Sequence, residues 1–215
     1  MKRLYVVRHG ARIDHEDRSW KNTAERPFDP PLSENGQTQA QKTGVALKGH
    51  QIGAVYASPL LRTIQTASYF ASSLSLPIQI EAGVVEWLNP KWYDFSAGML
   101  NLAEMKDKYH ALNLSYESLV TPRYPEQEEE TCIARCAFAA RQLSSEHPDG
   151  SHALIVTHGV CVNAIVQSLV GNKDGVNAQT CAITILEETF SGWTLVSSST
   201  DHLNQSLQEE KVTFM

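Results

Sequence analysis

A chain of 215 residues with 42% hydrophobic and 20% charged residues is long enough for one sizeable α/β core and slightly short for two domains. Its formal net charge of −6 at pH 7 argues against a broad electrostatic surface for nucleic acid, so we expect no direct nucleic-acid partner. Any site for an anion must therefore be a local cluster of cations.

Hydropathy along the chain bears on location and domain organisation. No apolar run approaches the roughly 20 residues that cross a bilayer, and the first residues lead into a strand pattern rather than a signal peptide. We therefore expect a cytoplasmic or nuclear protein that does not bind membranes. Residues 1–199 are predicted to form a single domain, and the polar residues 200–215 a tail or a short edge element.

The first predicted strand, residues 4–7, is apolar and β-branched and stops at Arg8, His9 and Gly10. In open α/β sheets, ligands bind at the carboxyl ends of strands. A guanidinium grips a phosphate with a planar fork, an imidazole offers a nucleophilic nitrogen, and a glycine lets the backbone turn beside a ligand. Arg12 adds a second cation to the same loop. A merely solvated Arg-His pair is the alternative, and these residues alone leave it open.

Residues 14–31 are polar and contain three prolines, which predicts a long irregular loop over the mouth of the site. A helix then begins, with Ser33 as its N-cap. One face of this helix carries residues small enough to pack closely on a sheet. This face comprises Gly36, Ala40, Gly44 and Leu47.

The second predicted strand covers residues 52–57 and leads into a helix with Ser58 as N-cap and Pro59 at its first position. Arg62 then falls in the first turn, where the helix dipole favours anions rather than cations. A phosphate bound between the arginine and the helix end would explain this placement. A lone surface arginine is the alternative.

The middle of the chain carries weaker patterns. They predict a short third strand at 77–80, a modest helix at 100–112 and a longer helix at about 129–147. Acidic residues 126–130 are predicted to be a solvated helix start that the dipole stabilises. The residues expected on or near the apolar side of the longer helix are Ile133, Ala137, Phe138, Ala140 and Leu143.

A second strand that ends in His-Gly is predicted at residues 153–157, followed by His158 and Gly159. An apolar helix covers residues 160–170 and ends at Gly171. Packing alone does not explain two core strands that each lead into His-Gly. If the two strands are neighbours in a parallel sheet, both imidazoles reach one crevice.

The last two predicted strands, at 180–186 and 194–198, form a hairpin. The four cysteines lack a C-x-x-C pair or metal-ligand spacing, so we expect reduced core thiols and no metal site. A zinc or redox role is the alternative. The cysteines are Cys132, Cys136, Cys161 and Cys181.

Together, these elements predict a three-layer α/β/α sandwich on a mostly parallel sheet. The active crevice is expected at the carboxyl ends of the first strand and of the strand at 153–157. Two long excursions, at 13–31 and 87–125, would form its rim.

Five motifs, each weak alone, occur in an order and spacing that resemble the histidine phosphatase superfamily, which includes cofactor-dependent phosphoglycerate mutases and many phosphatases. The motifs are Arg8-His9-Gly10, Leu32-Ser33 with Gly36 and Gln39-Ala40, Ser58-Pro59-Leu60-Leu61-Arg62-Thr63 with Gln65-Thr66-Ala67, Glu86, and Val156-Thr157-His158-Gly159. Residues 8–12 and 85–87 are most similar to the branch that holds the phosphatase domains of the suppressors of T-cell receptor signalling. The phosphatase-like tau55 subunit of the RNA polymerase III factor TFIIIC is similar as well.

The resemblance implies a metal-independent phosphatase without a cofactor. It implies that His9 is the nucleophile, Glu86 the proton donor and His158 a catalytic residue and second phosphate ligand. The phosphate clamp that it implies comprises Arg8, Arg12 and Arg62. The mutases' longer tryptophan-rich loop and their Glu-Arg-His pattern are absent from this sequence, which argues against mutase activity.

This chemistry also follows from the residues themselves. Cations around His9 would disfavour its protonation, and burial of Glu86 would raise its pKa so that it can donate a proton. The apolar neighbours of Glu86 are Val84, Val85, Trp87 and Leu88. Other carboxylates are less well placed but stay open as the acid, namely Asp14, Asp17, Asp29, Glu81 and Asp94.

The substrate is expected to be a phosphorylated small molecule or a phosphoprotein. Aromatic residues either line a pocket for an aromatic or bulky phosphoester or serve only in packing, namely Trp20, Phe28, Trp87, Trp92 and Tyr93. A sugar phosphate would favour more cations than the rim loop offers, which are Arg18, Lys21 and Arg26. The alternative function is a catalytically weak or inactive module within a larger complex, and a homodimer is also open.

Overall fold

The computed structural model describes residues 2–95, 101–147 and 150–206. The strands in these ranges are β1 (Arg3–Arg8), β2 (Ile52–Ala57), β3 (Ile78–Ile80), β4 (His152–Thr157), β5 (Ile183–Thr189) and β6 (Gly192–Ser199). The α-helices there are α1 (Ile13–Glu16), α2 (Glu34–Leu47), α3 (Leu61–Leu74), α4 (Leu102–Met105), α5 (Glu129–Ser145) and α6 (Gly159–Val170). Short 3-10 turns occur at Trp20–Asn22, Ala82–Val84 and Asp201–Asn204.

The strands form one six-stranded sheet in the order β3-β2-β4-β1-β5-β6. Strand β1 lies parallel to β4, β4 parallel to β2, and β2 parallel to β3, whereas β5 and β6 run antiparallel at one side. The prediction of a mostly parallel sheet is therefore confirmed. The register pairs Arg8 with Thr157, so β1 and β4 end at the same level of the sheet.

Two apolar cores cover opposite faces of the sheet, because alternate side chains of a strand point to opposite sides. Leu4 and Val6 of β1 pack in one core with residues of α5 and α6. Tyr5 and Val7 pack in the other core with residues of α2 and α3. Helices on both faces give the three-layer sandwich that was predicted.

Helix α2 begins as predicted, since the Gly36 N–H donates to the Ser33 hydroxyl at 3.1 Å. Its small-residue face is buried, but the expected packing on the sheet is met only in part, because α2 packs mainly on α3 and Leu47 is the member of this face that lies in a core with strand residues. A Cβ at Gly44 would lie 2.9 Å from the carbonyl oxygen of Tyr69, so the close approach of the two helices requires glycine there.

The predicted start of the next helix is wrong. Helix α3 begins at Leu61, after an N-cap at Leu60 that gives no side-chain hydrogen bond. The Ser58 hydroxyl instead bonds the His158 ring at 2.8 Å, and the carboxylate of Asp29 accepts the Leu61 N–H at 2.8 Å. A loop residue that is distant in sequence thus caps the helix, while Arg62 remains in the first turn as predicted.

The predicted helix at 100–112 shortens to the single turn α4, and residue 100 lies outside the described residues. The following chain pairs with the edge strand β3 instead of continuing the helix. The Ile78 N–H donates to the Ala111 carbonyl at 2.8 Å, and the Asn113 N–H donates to the Ile78 carbonyl at 2.9 Å. The Lys106 ammonium also bonds the carbonyls of His110 and Leu112.

Helix α5 begins at Glu129 as predicted, but two expectations around it are wrong. Glu126 is buried rather than solvated, because it pairs with Arg135 at 2.7 Å. Phe138 is 50% exposed, so it lies outside the buried stripe of α5, whereas Ala137, Ala140 and Leu143 are buried as predicted. The buried residues of α5 are Cys132, Arg135, Cys136, Ala137, Ala139, Ala140, Leu143 and Ser144.

The remaining predictions of helices, strands and the first loop hold with small shifts. The loop at 14–31 contains two short helical turns, and the terminal hairpin begins at Ile183 rather than at residue 180. Helix α6 ends at Gly171, which has the expected positive φ of 94°. The predicted tail at 200–215 forms a 3-10 turn first, and residues 207–215 lie outside the described residues. Among the helices described, none has the length and apolar character that a bilayer crossing requires.

Candidate active site

The two His-Gly ends meet at one edge of the sheet. His9 follows β1 and His158 follows the adjacent parallel strand β4. The ring centroids lie 5.2 Å apart, and both side chains are at most 1% exposed. The two imidazoles therefore lie side by side at the carboxyl ends of β1 and β4.

The His9 ring is held in one tautomer. Its Nδ1 lies 2.8 Å from the Gly10 carbonyl oxygen, which can only accept, so Nδ1 carries the proton and Nε2 keeps a free lone pair. Burial and then the charges of Arg62 and Arg8 lower the pKa of His9 well below its usual value of 6.5. The imidazole is thus neutral, with an unprotonated nitrogen in the site.

Tight backbone contacts fix the loop that carries His9. A Cβ at Gly10 would lie 2.4 Å from the carbonyl oxygen of Gly36, so the loop lies directly against the start of α2. Side chains from the helices complete the support, since Thr66 accepts the Gly10 N–H at 3.1 Å and Gln39 accepts the Ala11 N–H at 2.9 Å. These motif residues, whose roles the sequence did not indicate, therefore position the His9 loop.

Two guanidinium groups present buried N–H donors that have no hydrogen-bond partner within the described residues. Arg62 is 0% exposed, and its Nε and Nη1 lack a partner. Arg8 donates from Nη1 to the Ala178 carbonyl at 2.8 Å, while its Nε lacks a partner. Buried donors without acceptors are costly, and an anion such as phosphate would satisfy them.

Arg12 lies close enough to lower the pKa of His9, but it is engaged differently from the other two arginines. Its Nε and Nη2 donate to the two carboxylate oxygens of Asp14, at 2.9 and 2.6 Å. This bidentate pair occupies one side of the guanidinium fork. Arg12 therefore has less donor capacity for a phosphate than Arg8 or Arg62.

His158 contacts protein groups through both ring nitrogens. Arg62 Nη2, which can only donate, lies 3.2 Å from Nδ1, so the ring proton lies on Nε2 and is donated to the Ser58 hydroxyl at 2.8 Å. Burial, followed by the charge of Arg62, lowers the pKa of His158 well below 6.5. His158 is thus neutral and joins Arg62 to the start of the α3 segment.

Glu86 completes the site from the segment that follows β3. Its Oε2 lies 3.5 Å from His158 Nδ1 and 3.7 Å from Arg62 Nη2, and its Oε1 accepts the Trp87 N–H at 3.2 Å. Burial and, next, the nearby Cys161 raise the pKa of Glu86 from 4.5 to about 7, against the opposing charge of Arg62. A carboxyl with this pKa can hold a proton at neutral pH.

The other candidate carboxylates differ in what they contact. Asp14 is held by Arg12, Asp17 bonds exposed Ser19, and Glu81 accepts from Tyr116, Ser118 and two backbone N–H groups. Asp29 is nearer the site than its place in a proline-rich loop indicates, with Oδ1 3.6 Å from Arg62 Nη1. Burial raises its pKa.

The aromatic residues predicted near the mouth divide into two groups. Phe28 and Tyr93 pack around a small core of Leu60, Val85, Leu88 and Phe95. Trp92 is 53% exposed and lies edge-on to Trp87, with ring centroids 5.0 Å apart. The Tyr93 hydroxyl borders the site, because Glu86 and Arg62 both act on its pKa, which burial raises.

All four cysteines are free and buried, as expected of core thiols. The sulfur atoms of Cys132, Cys136 and Cys161 lie within 4.8 Å of one another, while Cys181 packs elsewhere. Three thiols at this spacing could hold a metal ion, so the geometry leaves the zinc alternative open.

Comparison with known proteins agrees with these motifs. Residues 4–201 match the histidine phosphatase superfamily (branch 1). The mouse ubiquitin-associated and SH3 domain-containing protein A is 31% identical over 207 residues, which cover 78% of this chain and 33% of that protein. The chain thus spans about a third of this relative's length.

Two further relatives differ in kind. A 2,3-bisphosphoglycerate-dependent phosphoglycerate mutase of Cytophaga hutchinsonii is 30% identical over 171 residues, covering 77% of this chain and 76% of the mutase. The transcription factor tau 55 kDa subunit of Saccharomyces cerevisiae is 25% identical over 208 residues, covering 84% of this chain and 46% of that protein.

A solved structure shares the fold over the whole chain. The ecdysone phosphate phosphatase of Bombix mori, crystallised with tungstate, has a TM-score of 0.75 and 20% identity, covering 100% of this chain and 98% of that one. With residues 4–201 matched and the family's motifs gathered at one edge of the sheet, the chain belongs to branch 1 of the histidine phosphatase superfamily.

Proposed function

We propose that this protein is a metal-independent phosphatase that hydrolyses phosphomonoesters through a phosphohistidine intermediate on His9. The observation that carries the proposal is a neutral imidazole with a free Nε2 beside buried guanidinium donors that lack acceptors. A phosphoryl group bound to these donors would have its phosphorus atom in reach of a nucleophile.

In the first step, His9 Nε2 attacks phosphorus, an N–P bond forms and the ester P–O bond breaks. Arg8 and Arg62 bind the equatorial oxygens, where charge collects in the transition state, without needing to reorganise. Glu86 supports this step as a general acid, because its raised pKa of about 7 lets it give a proton to the leaving oxygen.

In the second step, water attacks phosphorus and the N–P bond breaks, which restores neutral His9 and releases inorganic phosphate. Glu86, now a carboxylate, takes the proton from the attacking water. The same carboxyl thus serves both steps, and its protonation state is reset in each cycle.

The other two family positions take supporting roles in this scheme. His158 serves as a second phosphate ligand by exchanging its Nε2 hydrogen bond to Ser58 for one to a phosphate oxygen. Arg12 contributes charge and one edge of its fork, since Asp14 holds the other edge.

The first experiment measures hydrolysis of p-nitrophenyl phosphate in the presence of EDTA. We expect turnover that resists the chelator, is lost in His9→Ala and is kept in His110→Ala, a control at an exposed histidine. Rapid quenching with radiolabelled substrate should trap an alkali-stable, acid-labile phosphoryl group on the wild type but not on His9→Ala. EDTA-sensitive turnover, or turnover in His9→Ala, would contradict the proposal.

A phosphatase-like module within a larger complex is the second candidate, favoured by the similarity to a transcription factor subunit. This candidate predicts phosphate or phosphoprotein binding without turnover on a broad panel of phosphoesters. Mutase activity is tested separately with a phosphoglycerate as substrate. A mutase would move the phosphoryl group between positions of the phosphoglycerate faster than it releases free phosphate.

The substrate is proposed to be a phosphorylated small molecule or phosphoprotein with an aryl or bulky group beside the phosphate. Trp87 directly follows Glu86 and contacts the exposed ring of Trp92, and the charges of Glu86 and Arg62 act on the Tyr93 hydroxyl; these aromatic groups support this choice. Replacing Trp92 by alanine should raise KM for phosphotyrosine more than KM for phosphoserine. Equal effects on both esters would place Trp92 outside the substrate pocket.

Location and assembly are also part of the proposal. We expect a cytoplasmic or nuclear protein that works as a homodimer or as a subunit of a larger complex. Fluorescence imaging of the tagged protein and light scattering of the purified protein test these two expectations. A monomer with no partner in cell extracts would contradict the second.

A further inference from the structure

The segment that carries Glu86, residues 83–88, has four consecutive backbone carbonyls, those of residues 83–86, that accept hydrogen bonds from side chains. We call it the Glu86 segment. The carbonyl of Val84 accepts from the Thr157 hydroxyl at 2.6 Å, and that of Val85 accepts from the Cys161 thiol at 3.1 Å. Buried carbonyls need such partners, and the position of an irregular segment depends on them.

Arg135 supplies most of the remaining donors. Its Nη1 donates to the carbonyls of Gly83 and Val85, at 3.0 and 2.9 Å, and its Nη2 reaches the carbonyl of Glu86 at 3.3 Å. The side chain projects from α5 and is only 5% exposed. One guanidinium therefore donates hydrogen bonds to three backbone carbonyls of the Glu86 segment.

Glu126 completes the arrangement from the other side of the same guanidinium. Its carboxylate accepts from Arg135 Nε and Nη2, both at 2.7 Å, and from the Leu88 N–H at 3.1 Å. Its backbone binds the segment too, because the Glu126 N–H donates to the Leu88 carbonyl and the Trp87 indole donates to the Glu126 carbonyl. The Arg135–Glu126 pair thus contacts the segment before, at and after Glu86.

A buried ion pair is seldom the most stabilising choice, because removing both charges from water costs about as much as their attraction returns. This pair is also neutral overall, and among the described residues none of its hydrogen bonds is to Arg8, Arg62, His9 or His158. It therefore adds no net charge to the clamp formed by Arg8 and Arg62, and its contacts point to control of geometry.

We propose that Arg135 and Glu126 are positioning residues that hold the Glu86 carboxyl in its buried place against Arg62 and His158. The proposal rests on the proposed function, because position matters there only if Glu86 transfers a proton. Neither residue touches the phosphate site, so both act through the backbone of the Glu86 segment.

The first test compares Arg135→Met with Arg141→Met. Arg141 is a matched control on the same helix, exposed, and bonded to a single carbonyl, that of Ser168, at 2.7 Å. We expect Arg135→Met to lower kcat/KM for phosphoserine by about 10- to 100-fold but that for p-nitrophenyl phosphate by less than about threefold, because a good leaving group needs no acid. Equal losses on both substrates would overturn the proposal.

The second test is a double-mutant cycle with Glu86→Gln. If Arg135 acts only through Glu86, adding Arg135→Met to Glu86→Gln should change kcat/KM for phosphoserine by less than about twofold. A full further loss in the double variant would mean that Arg135 acts on the enzyme in another way, which overturns the proposal.

Two milder variants cover the case in which Arg135→Met does not fold. Arg135→Lys keeps the charge but cannot span three carbonyls, and Glu126→Gln keeps the shape but weakens the grip on the guanidinium. Both variants should lower kcat/KM for phosphoserine more than kcat/KM for p-nitrophenyl phosphate, by a smaller factor than Arg135→Met does. If Arg135→Lys folds and its ratio of kcat/KM for phosphoserine to kcat/KM for p-nitrophenyl phosphate equals that of the wild type, the proposal is overturned.

A measurement that does not depend on activity separates this proposal from the proposed function. Carbon NMR of labelled glutamate carboxyls, with Glu86 assigned through Glu86→Gln, gives its titration midpoint directly. In Arg135→Lys the released carboxyl meets water, so its pKa should fall toward 4.5, whereas Arg141→Lys should leave it near 7. The other groups that face Glu86 stay in place in both variants, namely Arg8, Arg62, Tyr93, His158 and Cys161.

The two proposals then fail in different ways. A wild-type protein without turnover in which Arg135→Lys still lowers the Glu86 midpoint would refute the phosphatase but keep the positioning role. An active wild type in which the midpoint is unchanged in Arg135→Lys would refute the positioning role alone.

Discussion

The Oε2 atom of Glu86 lies 3.7 Å from Nη2 of Arg62, close enough for attraction but too far for a hydrogen bond. Arg62 gives that N–H to His158 instead, at 3.2 Å. Burial therefore outweighs the nearby charge, and the pKa of Glu86 rises to about 7 rather than falling. This geometry therefore lets the Glu86 carboxyl keep its proton although it lies beside the phosphate clamp.

The pH dependence of activity should follow this pKa. Above about pH 7, where Glu86 loses its proton, kcat/KM for phosphoserine should fall about tenfold per pH unit. For p-nitrophenyl phosphate, kcat/KM should not change with pH above about 7. This parameter reports the first step, and nitrophenolate leaves without needing a proton. The pKa of His9 lies well below 6.5, so any acid limb from the nucleophile lies below that value.

Glu86→Gln is the control for this profile. It should remove the basic limb and lower kcat/KM for phosphoserine by about 100-fold or more. A basic limb that persists in the variant would have to belong to another group.

Replacing Glu86 by glutamine should raise stability at the same time as it lowers activity. In the folded state Glu86 has a pKa of about 7, against 4.5 as its ordinary value, so the folded protein binds more protons between these values. Its burial therefore costs little below pH 4.5, and the cost grows as pH rises and is complete above about pH 7. Glu86→Gln should raise the free energy of unfolding by about 3 kcal/mol at pH 8 but by less than about 1 kcal/mol at pH 5. Urea unfolding at the two pH values measures this difference, and an equal gain at both would contradict the assignment.

The arginines should differ in their contribution to phosphate binding. Arg62 has buried donors that lack acceptors, whereas Arg12 is already paired with Asp14. Arg62→Ala should weaken inhibition by inorganic phosphate by about 100-fold and Arg12→Ala by about tenfold, since each hydrogen bond to a charged group contributes about 1.5–3 kcal/mol. Asp14→Asn should strengthen phosphate inhibition, because it releases the fork of Arg12. Weaker inhibition in Asp14→Asn would show that Asp14 serves mainly to position Arg12.

The cysteines should be unreactive in the folded protein. Hydrogen bonds with Cys136 and Cys161 lower the pKa of Cys132, which would make an exposed thiol fast to react. All four thiols are buried, so DTNB should modify them only as fast as the protein unfolds, and four per chain in denaturant. Rapid modification before unfolding, or zinc retained after dialysis against chelator, would favour the redox or metal alternative instead.

The sequence predicts those parts of the site that depend on local pattern. Two apolar runs that end in His-Gly place His9 and His158, and an arginine in a first turn places Arg62, because strand and helix periods are local properties. Ser58 shows the limit: Ser-Pro before an apolar run is typical of an N-cap, but the His158 ring competes for the hydroxyl. Asp29 takes the capping role from a loop, and no local signal indicates it.

Glu126 shows the same limit on a buried ion pair. Within an acidic run, its neighbours indicate a solvated helix start. Its burial depends on Arg135, nine positions further along, and on how α5 packs against the segment that carries Glu86. Such pairings arise from tertiary packing, which hydrophobic periodicity does not describe.

The contact between Gly10 and the start of α2 makes the floor of the crevice less tolerant of amino-acid substitution than its rim. A Cβ at Gly10 or at Gly36 would overlap backbone atoms, at 2.4 and 2.0 Å, so the floor of the crevice admits no variation there. The rim at 13–31 is exposed over much of its length and supplies neither imidazole. A library that randomises the exposed positions of the rim, while keeping the floor, Asp14 and Asp29, is therefore the direct route to variants that accept new esters with unchanged chemistry.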